Sequence, residues 1–283
     1  MNASEFKAQI LRTGRYETPR RGPRLPWWLA SPIGHLRMVG IYLWGNFVCR
    51  RDRAAFEEGP FADFALKPLQ MMESLGASVH YDGFERVRHG NFPVVWAANH
   101  MSPLETCAIL PAVLAFSPTT IILKESLAHY PVFGLVVRNI HTIRLHRKNA
   151  MEDLRATLEQ GEQALREGRS VVVFPEGRRS LTFDPAMFNS IGVKLAQRAK
   201  VPLVPVALRT DAMQIGRLNK DLFTVHAERP VHFECGEPIP PDLPQREALD
   251  RARAFISERL ATWQAEYPTR TPLLLPPPAS STT

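Results

Sequence analysis

From about residue 60 to residue 267, short apolar runs alternate with helical patterns, and this alternation limits the chain to a small set of folds. The runs predict strands over 94–98, 119–123, 140–145, 171–174, 204–208 and 231–235. Helices are predicted over 103–114, 150–167, 186–199 and 247–267. Short apolar strands separated by helices indicate an α/β layered domain, with helices flanking a largely parallel or mixed central sheet.

The remaining sequence divides into three further segments. Residues 1–24 are predicted to be a flexible basic arm. Residues 25–58 are predicted to be a helical segment associated with a membrane, preceding the α/β domain at 59–267. Residues 268–283 are rich in proline, serine and threonine, which predicts a disordered tail.

The net positive charge of the chain comes from its N-terminal part. Residues 1–53 hold ten basic and three acidic residues, which accounts for the whole net charge of +7. A neutral domain behind a basic arm favours an anionic membrane surface over nucleic acid as the partner.

The sequence around 38–49 supports this membrane interpretation. Trp27, Trp28 and Trp44 lie in or near this apolar stretch, and Arg50 and Arg51 follow it, a composition typical of interfacial helices. This mostly apolar stretch is twelve residues long with Asn46 inside it, too short to span a bilayer, for which about 20 apolar residues are needed. A helical hairpin packed on the domain is the alternative.

Neither the cysteines nor the histidines suggest a metal site. Cys49, Cys107 and Cys235 are widely spaced and form no C-x-x-C pair. His141 and His146 have no partners at ligand spacing. We expect neither a metal nor a bound cofactor.

A histidine and a carboxylate follow the first predicted strand, in the string Asn-His-Met-Ser-Pro-Leu-Glu at 99–105. A carboxylate can orient and charge an imidazole, and the imidazole can then remove a proton from a nucleophile. His100 and Glu105 are therefore candidate catalytic residues. Ser102, Pro103 and Glu105 also read as a helix start, so Glu105 could simply complete a capping box. The two roles are compatible.

Basic residues follow two other predicted strands. Lys124 follows the strand at 119–123, and Arg144 and Arg147 lie at or after the end of the strand at 140–145. Such residues can bind a phosphate, although each could also be a solvated loop charge.

A second distinctive loop, Phe-Pro-Glu-Gly-Arg-Arg-Ser at 174–180, follows the strand at 171–174. Its proline and glycine indicate a tight turn. Glu176 could accept a hydrogen bond from a substrate hydroxyl, or it could order Arg178 and Arg179.

Four strings in this order and at this spacing resemble those of the glycerolipid acyltransferases of the 1-acylglycerol-3-phosphate acyltransferase (PlsC-like) kind. They are 99–105, the Lys124 to Arg147 region, 174–180 and the Val-Pro-Leu-Val-Pro-Val string at 201–206. The resemblance covers roughly residues 80–210.

The resemblance implies an O-acyltransferase on the cytoplasmic face of a membrane. It would move a fatty acyl group from acyl-CoA or acyl carrier protein to the free hydroxyl of lysophosphatidic acid, giving phosphatidic acid. His100 would be the general base and Glu105 its partner. The implied acceptor-binding residues are Lys124, Arg144, Arg147, Glu176, Gly177, Arg178 and Arg179.

The chain departs from the family pattern at several of these positions. Glu105 stands where the family has Asp, Arg178 replaces Thr, and Arg144 stands where an aromatic is usual. The lysine that follows the third string in the family has no counterpart near 188–192. These departures favour an alternative acceptor, another lysolipid or an aminolipid. A third interpretation, a lipid-binding protein without catalysis, rests on Glu105 alone.

Overall fold

The structure, a computed structural model, describes residues 1–19, 22–52, 56, 59–130, 133–146, 149–215 and 222–275. An eight-stranded sheet forms its centre, and a separate two-stranded hairpin lies beside it. The sheet strands are β1 (Tyr16–Glu17), β2 (Val79–Asp82), β3 (Val95–Ala98), β4 (Thr119–Lys124), β5 (Thr142–Leu145), β6 (Ser170–Val173), β7 (Leu203–Arg209) and β10 (Val231–Cys235); the hairpin strands are β8 (Met213–Ile215) and β9 (Phe223–Val225).

The sheet is mixed, with the order β1-β2-β10-β7-β3-β6-β4-β5. The five strands from β7 to β5 are parallel to one another. Strand β10 is antiparallel to β7 and parallel to β2, and β1 is antiparallel to β2. The parallel half brings the carboxyl ends of β3, β6 and β4 to one edge, where α/β sheets place their ligands.

Helices cover both faces of the sheet. The described helices are α1 (Ala3–Thr13), α2 (Trp27–Arg51), α3 (Pro60–Ser74), α4 (Leu104–Ala108), α5 (Leu110–Val113), α6 (Gly134–Arg138), α7 (Ala150–Arg166), α8 (Ile191–Ala199) and α9 (Gln245–Glu266). Alternate residues of β3 enter opposite cores: Trp96 packs with the core under α1 to α6, and Val95 packs with the core under α7 to α9. This alternation is the period of two of a strand buried on both faces.

The elements of the α/β domain follow the sequence closely. All six predicted strands are present, with ends shifted by at most two residues. The helix predicted over 103–114 is divided into α4 and α5, and the one predicted over 186–199 begins only at Ile191.

The prediction of a flexible arm over residues 1–24 is wrong for its first part. Residues Ala3–Thr13 form α1, whose start is closed by a capping box between Asn2 and Glu5. Phe6 is fully buried, and its ring lies 5.3 Å from that of Tyr81. A helix this short depends on such caps and on packing, which is why composition alone did not reveal it.

In the described part of the segment predicted to associate with a membrane, Trp27–Arg51 form one helix, α2. Leu36, Leu43 and Phe47 form an exposed stripe along it and are 75%, 56% and 63% exposed. None of the helices in the described ranges is long and apolar enough to cross a membrane.

The predicted disordered tail is ordered in its first part. Leu273 is buried, and its carbonyl accepts the backbone N–H of Phe183 at 2.8 Å. The N–H of Leu275 donates to the carbonyl of Phe183 at 3.0 Å, so this short stretch pairs with a loop of the domain. Residues 276–283 lie outside the described residues.

Candidate active site

His100 lies just past β3, at the carboxyl edge of the parallel strands. Its Nδ1 is 2.8 Å from Oε1 of Glu105, whose side chain is fully buried. A carboxylate can only accept at this contact, so Nδ1 carries the hydrogen and Nε2 carries the lone pair. The pair therefore has the form of a base with its orienting carboxylate.

Glu105 accepts hydrogen bonds from four different residues. Oε1 accepts the His100 ring N–H and the backbone N–H groups of Met101 and Ser102. Oε2 accepts the Ser102 hydroxyl at 3.2 Å and the hydroxyl of Thr210. The bond from the Ser102 N–H to Glu105 is one half of a capping box, but the Ser102 hydroxyl accepts the Leu104 N–H, and the helix begins at Leu104 with Pro103 as its N-cap and no side-chain cap.

The loop at 174–180 forms hydrogen bonds with both the backbone N–H and the carbonyl of His100. Oε1 of Glu176 accepts the His100 N–H at 2.7 Å, and the Ser180 N–H donates to the His100 carbonyl at 2.8 Å. Gly177 has φ of +68° and donates its N–H to the carbonyl of Phe174, a turn that favours glycine. The ring of Phe174 stacks on the imidazole with centroids 4.3 Å apart.

Glu176 is held in a nearly neutral form. Burial raises the pKa of its carboxyl to about 8, and the charges of Glu105 and Asp184 act in the same direction. The hydrogen bond from the His100 N–H and the charge of Arg178 oppose this rise in pKa. At neutral pH a largely protonated Glu176 can still accept the His100 N–H through one oxygen, without adding a full negative charge beside Glu105.

A cavity of about 540 Å³ opens beside His100; we call it the His100 cavity. Its walls combine apolar residues of β4, β5 and β6 with polar groups of the loop and of α8. Gly177, Asn189 and Lys194 are among the polar lining residues.

A second cavity, of about 300 Å³, lies against α2; we call it the helix cavity. Its walls are largely apolar, with Met38 and Val39 from α2, Leu104 from α4, and Phe133. Arg179 also lines this cavity. The helix cavity is lined by residues of the core under α1 to α6, whereas the walls of the His100 cavity include residues of both cores, Val173 from one and Leu123 from the other. The helix that carries Glu105 borders the helix cavity.

Residues 78–209 match the family model described as Acyltransferase. These residues belong to the acyltransferase family. The matched segment begins next to β2 and ends with β7, so it contains His100, Glu105 and the 174–180 loop.

Named relatives and a solved structure resemble the chain in different ways. A probable 1-acyl-sn-glycerol-3-phosphate acyltransferase of Mycoplasma pneumoniae is 34% identical over 41% of this chain and 44% of its own length. The matched part thus spans less than half of that relative. A lyso-ornithine lipid O-acyltransferase of Pseudomonas aeruginosa is 28% identical over 63% of this chain and 71% of its own length.

The solved structure is the 1-acyl-sn-glycerophosphate (LPA) acyltransferase PlsC of Thermotoga maritima. It is 21% identical and superposes with a TM-score of 0.55, covering 86% of this chain and 97% of that chain. At this identity the comparison establishes a shared fold.

The acyltransferase domain brings only some of the predicted acceptor-binding residues together. Arg179 lines the helix cavity, and Gly177 lines the His100 cavity. Lys124 and Arg144 are exposed at the ends of β4 and β5, and Arg144 lies 3.7 Å from Glu125. Their role in acceptor binding stays a prediction. Arg178 is exposed on the loop, and Arg147 lies outside the described residues.

Two residues at the site were not found from the sequence. Lys194 is on α8 and lines the His100 cavity, two residues past the string in which the family lysine is missing. Thr210 follows β7 and reaches Glu105 across 105 positions of sequence. A lysine just past 188–192 could have been noticed, whereas nothing local marks Thr210.

Proposed function

We propose that this protein is a membrane-associated acyltransferase that transfers a fatty acyl group to the free hydroxyl of lysophosphatidic acid, giving phosphatidic acid. The observation that carries the proposal is the His100–Glu105 pair, with Nδ1 directed at the carboxylate and the His100 backbone bonded on both sides by the 174–180 loop. The donor is a thioester, either acyl-CoA or acyl carrier protein, at the cytoplasmic face of the membrane.

In the proposed reaction His100 acts as the general base. Nε2 takes the proton of the acceptor hydroxyl while that oxygen attacks the thioester carbonyl. The new C–O bond forms, the C–S bond breaks, and the leaving thiolate takes the proton back from His100. General-base catalysis of this kind contributes roughly 10² to 10⁴ in rate. Ester formation is direct, without an acyl-enzyme.

The helix cavity is the proposed site for the hydrocarbon of the lipid acceptor. It is largely apolar, and its Val39 belongs to the exposed part of α2, so a lipid could enter from the membrane surface. Arg179 would meet the phosphate at the same cavity, because a guanidinium forms bidentate bonds with phosphate oxygens.

A different acceptor, a lysolipid with another head group or an aminolipid, is the second candidate. Two observations favour it. Arg178 replaces the family threonine in the 174–180 loop, and the Pseudomonas aeruginosa relative that matches 63% of this chain is named for a lyso-ornithine lipid. The proposed base and its partner are the same in both candidates.

The test is an acyl-transfer assay with the full chain, labelled oleoyl-CoA or oleoyl carrier protein, and a panel of lysolipids. We expect product with lysophosphatidic acid, and a loss of at least about 100-fold in His100→Ala. His89→Ala is the matched control, because His89 is exposed and lies before β3.

Each result assigns a function. Product only with lyso-ornithine lipid or another lysolipid would replace the first acceptor by the second candidate. Full activity in a folded His100→Ala protein would refute the general-base role. No product with any acceptor or donor, from protein that still binds lysolipid, would favour the non-catalytic lipid-binding interpretation.

A further inference from the structure

Oε2 of Glu105, the oxygen that does not contact the His100 ring, lies against the hydroxyl of Thr210, a residue outside the four family strings. Thr210 Oγ1 donates to this oxygen, and Thr210 is fully buried. We propose that Thr210 is a positioning residue for catalysis: by holding Oε2, it keeps Oε1 directed at Nδ1 of His100. This inference rests on the proposed role of His100 as the base.

Thr210 can act in this way because the two residues before it are anchored. The Asn99 side chain accepts the Leu208 N–H at 2.7 Å and donates to the Leu208 carbonyl at 2.9 Å, which ties the end of β7 to the residue before His100. Arg209 is fully buried and donates to the carbonyls of Trp263 and Tyr267 at the end of α9. The hydroxyl therefore comes from a rigid part of the fold.

The position of Thr210 also explains how the domain uses a glutamate where its family has aspartate. Glutamate is longer by one methylene, about 1.5 Å. In this fold Glu105 uses its length to reach the His100 ring with one oxygen and Thr210 with the other. The shorter side chain of Glu105→Asp could not keep both contacts without movement of α4 or β7. Thr210 and Glu105 therefore form a coupled pair.

The main test compares kcat and KM of Thr210→Val, Thr210→Ser and the control Thr18→Val with those of the wild type. Thr210→Val has nearly the same shape but no donor, and we expect kcat to fall about 10- to 100-fold while KM for the acceptor changes less than about threefold. Thr210→Ser keeps a hydroxyl and should recover most of the lost kcat.

Thr18→Val is the matched control. Thr18 is also buried, and its hydroxyl donates to the carboxylate of Glu73 at 2.9 Å; neither residue lines the His100 cavity or the helix cavity. It should lower the melting temperature as Thr210→Val does but leave kcat unchanged. Equal kcat losses in Thr18→Val and Thr210→Val would mean a general stability effect and would overturn the inference.

A double-mutant cycle tests the coupling to Glu105. Thr210→Val should lower kcat in the wild-type background but have almost no further effect in Glu105→Asp, because that variant has already lost the contact. Independent, multiplicative losses in the two backgrounds would contradict the coupling.

A readout that needs no turnover separates this inference from the proposed function. In protein labelled with ¹⁵N-histidine, two-bond proton–nitrogen spectra report which nitrogen of His100 carries the hydrogen, with His100→Gln used for assignment. We expect the Nδ1–H tautomer in the wild type and Thr210→Ser, and a mixture of tautomers in Thr210→Val.

If these spectra are obtained but the wild type shows no acyl transfer, the proposed function is refuted while the positioning of His100 by Thr210 stands. A single, unchanged tautomer in Thr210→Val would remove the role.

Discussion

Two glutamates a few ångströms from the same histidine have different electrostatic tasks. Glu105 accepts the imidazole N–H and orients the ring. Glu176 accepts the backbone N–H of the same residue, and burial raises its pKa to about 8. One carboxylate therefore stabilises charge on the imidazole, while the other holds the loop with little charge of its own near neutral pH.

Substitution of Glu176 tests this division of tasks. Glu176→Gln keeps an oxygen for the His100 N–H and should retain activity within about threefold at pH 7. Glu176→Leu leaves that buried N–H unpaired and should lower kcat by about tenfold or more. The measurement is the acyl-transfer kcat of the two variants. If Glu176→Gln loses as much kcat as Glu176→Leu, the acidic proton of Glu176 is itself required.

The raised pKa also predicts how stability depends on pH. In the unfolded chain Glu176 titrates near its ordinary value of 4.5, and in the folded protein near 8. Its contribution is therefore fully present below pH 4.5 and is lost as the pH rises through 8. Thermal melts from pH 5 to 9 should show the wild type losing stability relative to Glu176→Gln. Parallel melting curves across this range would contradict the assignment.

Strand β10 carries another group whose pKa is strongly shifted, His232. The His232 ring lies between those of His80 and Trp263, with centroids 4.6 and 4.9 Å away. Burial lowers the pKa of His232 to about 3, and the charges of His80 and Arg209 act in the same direction. Its Nε2 is buried without a partner among the described residues. The contact between β10 and α9 is thus built around a neutral imidazole.

We expect acid to weaken this contact. A lowered folded-state pKa gives stability that is present above the ordinary value of 6.5 and is lost as the pH falls toward 3, at up to about 1.4 kcal/mol per pH unit. His232→Phe keeps a stacked ring and removes the titrating group, so its melting temperature should fall less than that of the wild type between pH 7.5 and 5. His89→Phe is the exposed control, and an identical fall in all three proteins would argue against a buried neutral His232.

At the scale of the whole molecule, α2 is linked to the His100–Glu105 pair by a continuous series of contacts. His35 and Ser31 of α2 accept the backbone N–H groups of Phe223 and Val225 in β9. The β8–β9 hairpin in turn follows directly from Thr210, whose carbonyl accepts the Met213 N–H. The helix that we propose to lie on the membrane is therefore packed on the segment that reaches Glu105.

The exposed stripe of α2 predicts vesicle binding. Replacement of Leu36, Leu43 and Phe47 by serine should abolish sedimentation with vesicles that contain anionic lipid, because apolar burial and attraction of the flanking arginines act together. The melting temperature should stay within about 2 °C, since these side chains are largely exposed.

A triple serine variant at three other exposed apolar residues is the control for this experiment. Met151, Met187 and Leu275 are suitable, because they are exposed and lie outside α2. Sedimentation of the α2 variant equal to that of the wild type would refute the membrane-bound stripe.

The sequence alone was enough for the α/β architecture and for the pairing of His100 with Glu105. Both depend on local information: strand and helix periods are read within a few residues, and His100 and Glu105 are separated by only five positions on a strand-to-helix turn. The 174–180 loop was also identified locally, from its proline and glycine.

Only the tertiary structure decided what surrounds that pair. Helix α1, the two bonds from the 174–180 loop to the His100 backbone, the separate placement of the predicted basic residues, and the hydroxyl of Thr210 all involve partners far apart in the chain. Such contacts leave no periodic pattern, because packing across the sheet rather than spacing along the chain determines which side chains meet. The sequence thus determined that His100 and Glu105 pair, and the fold determined the geometry around them.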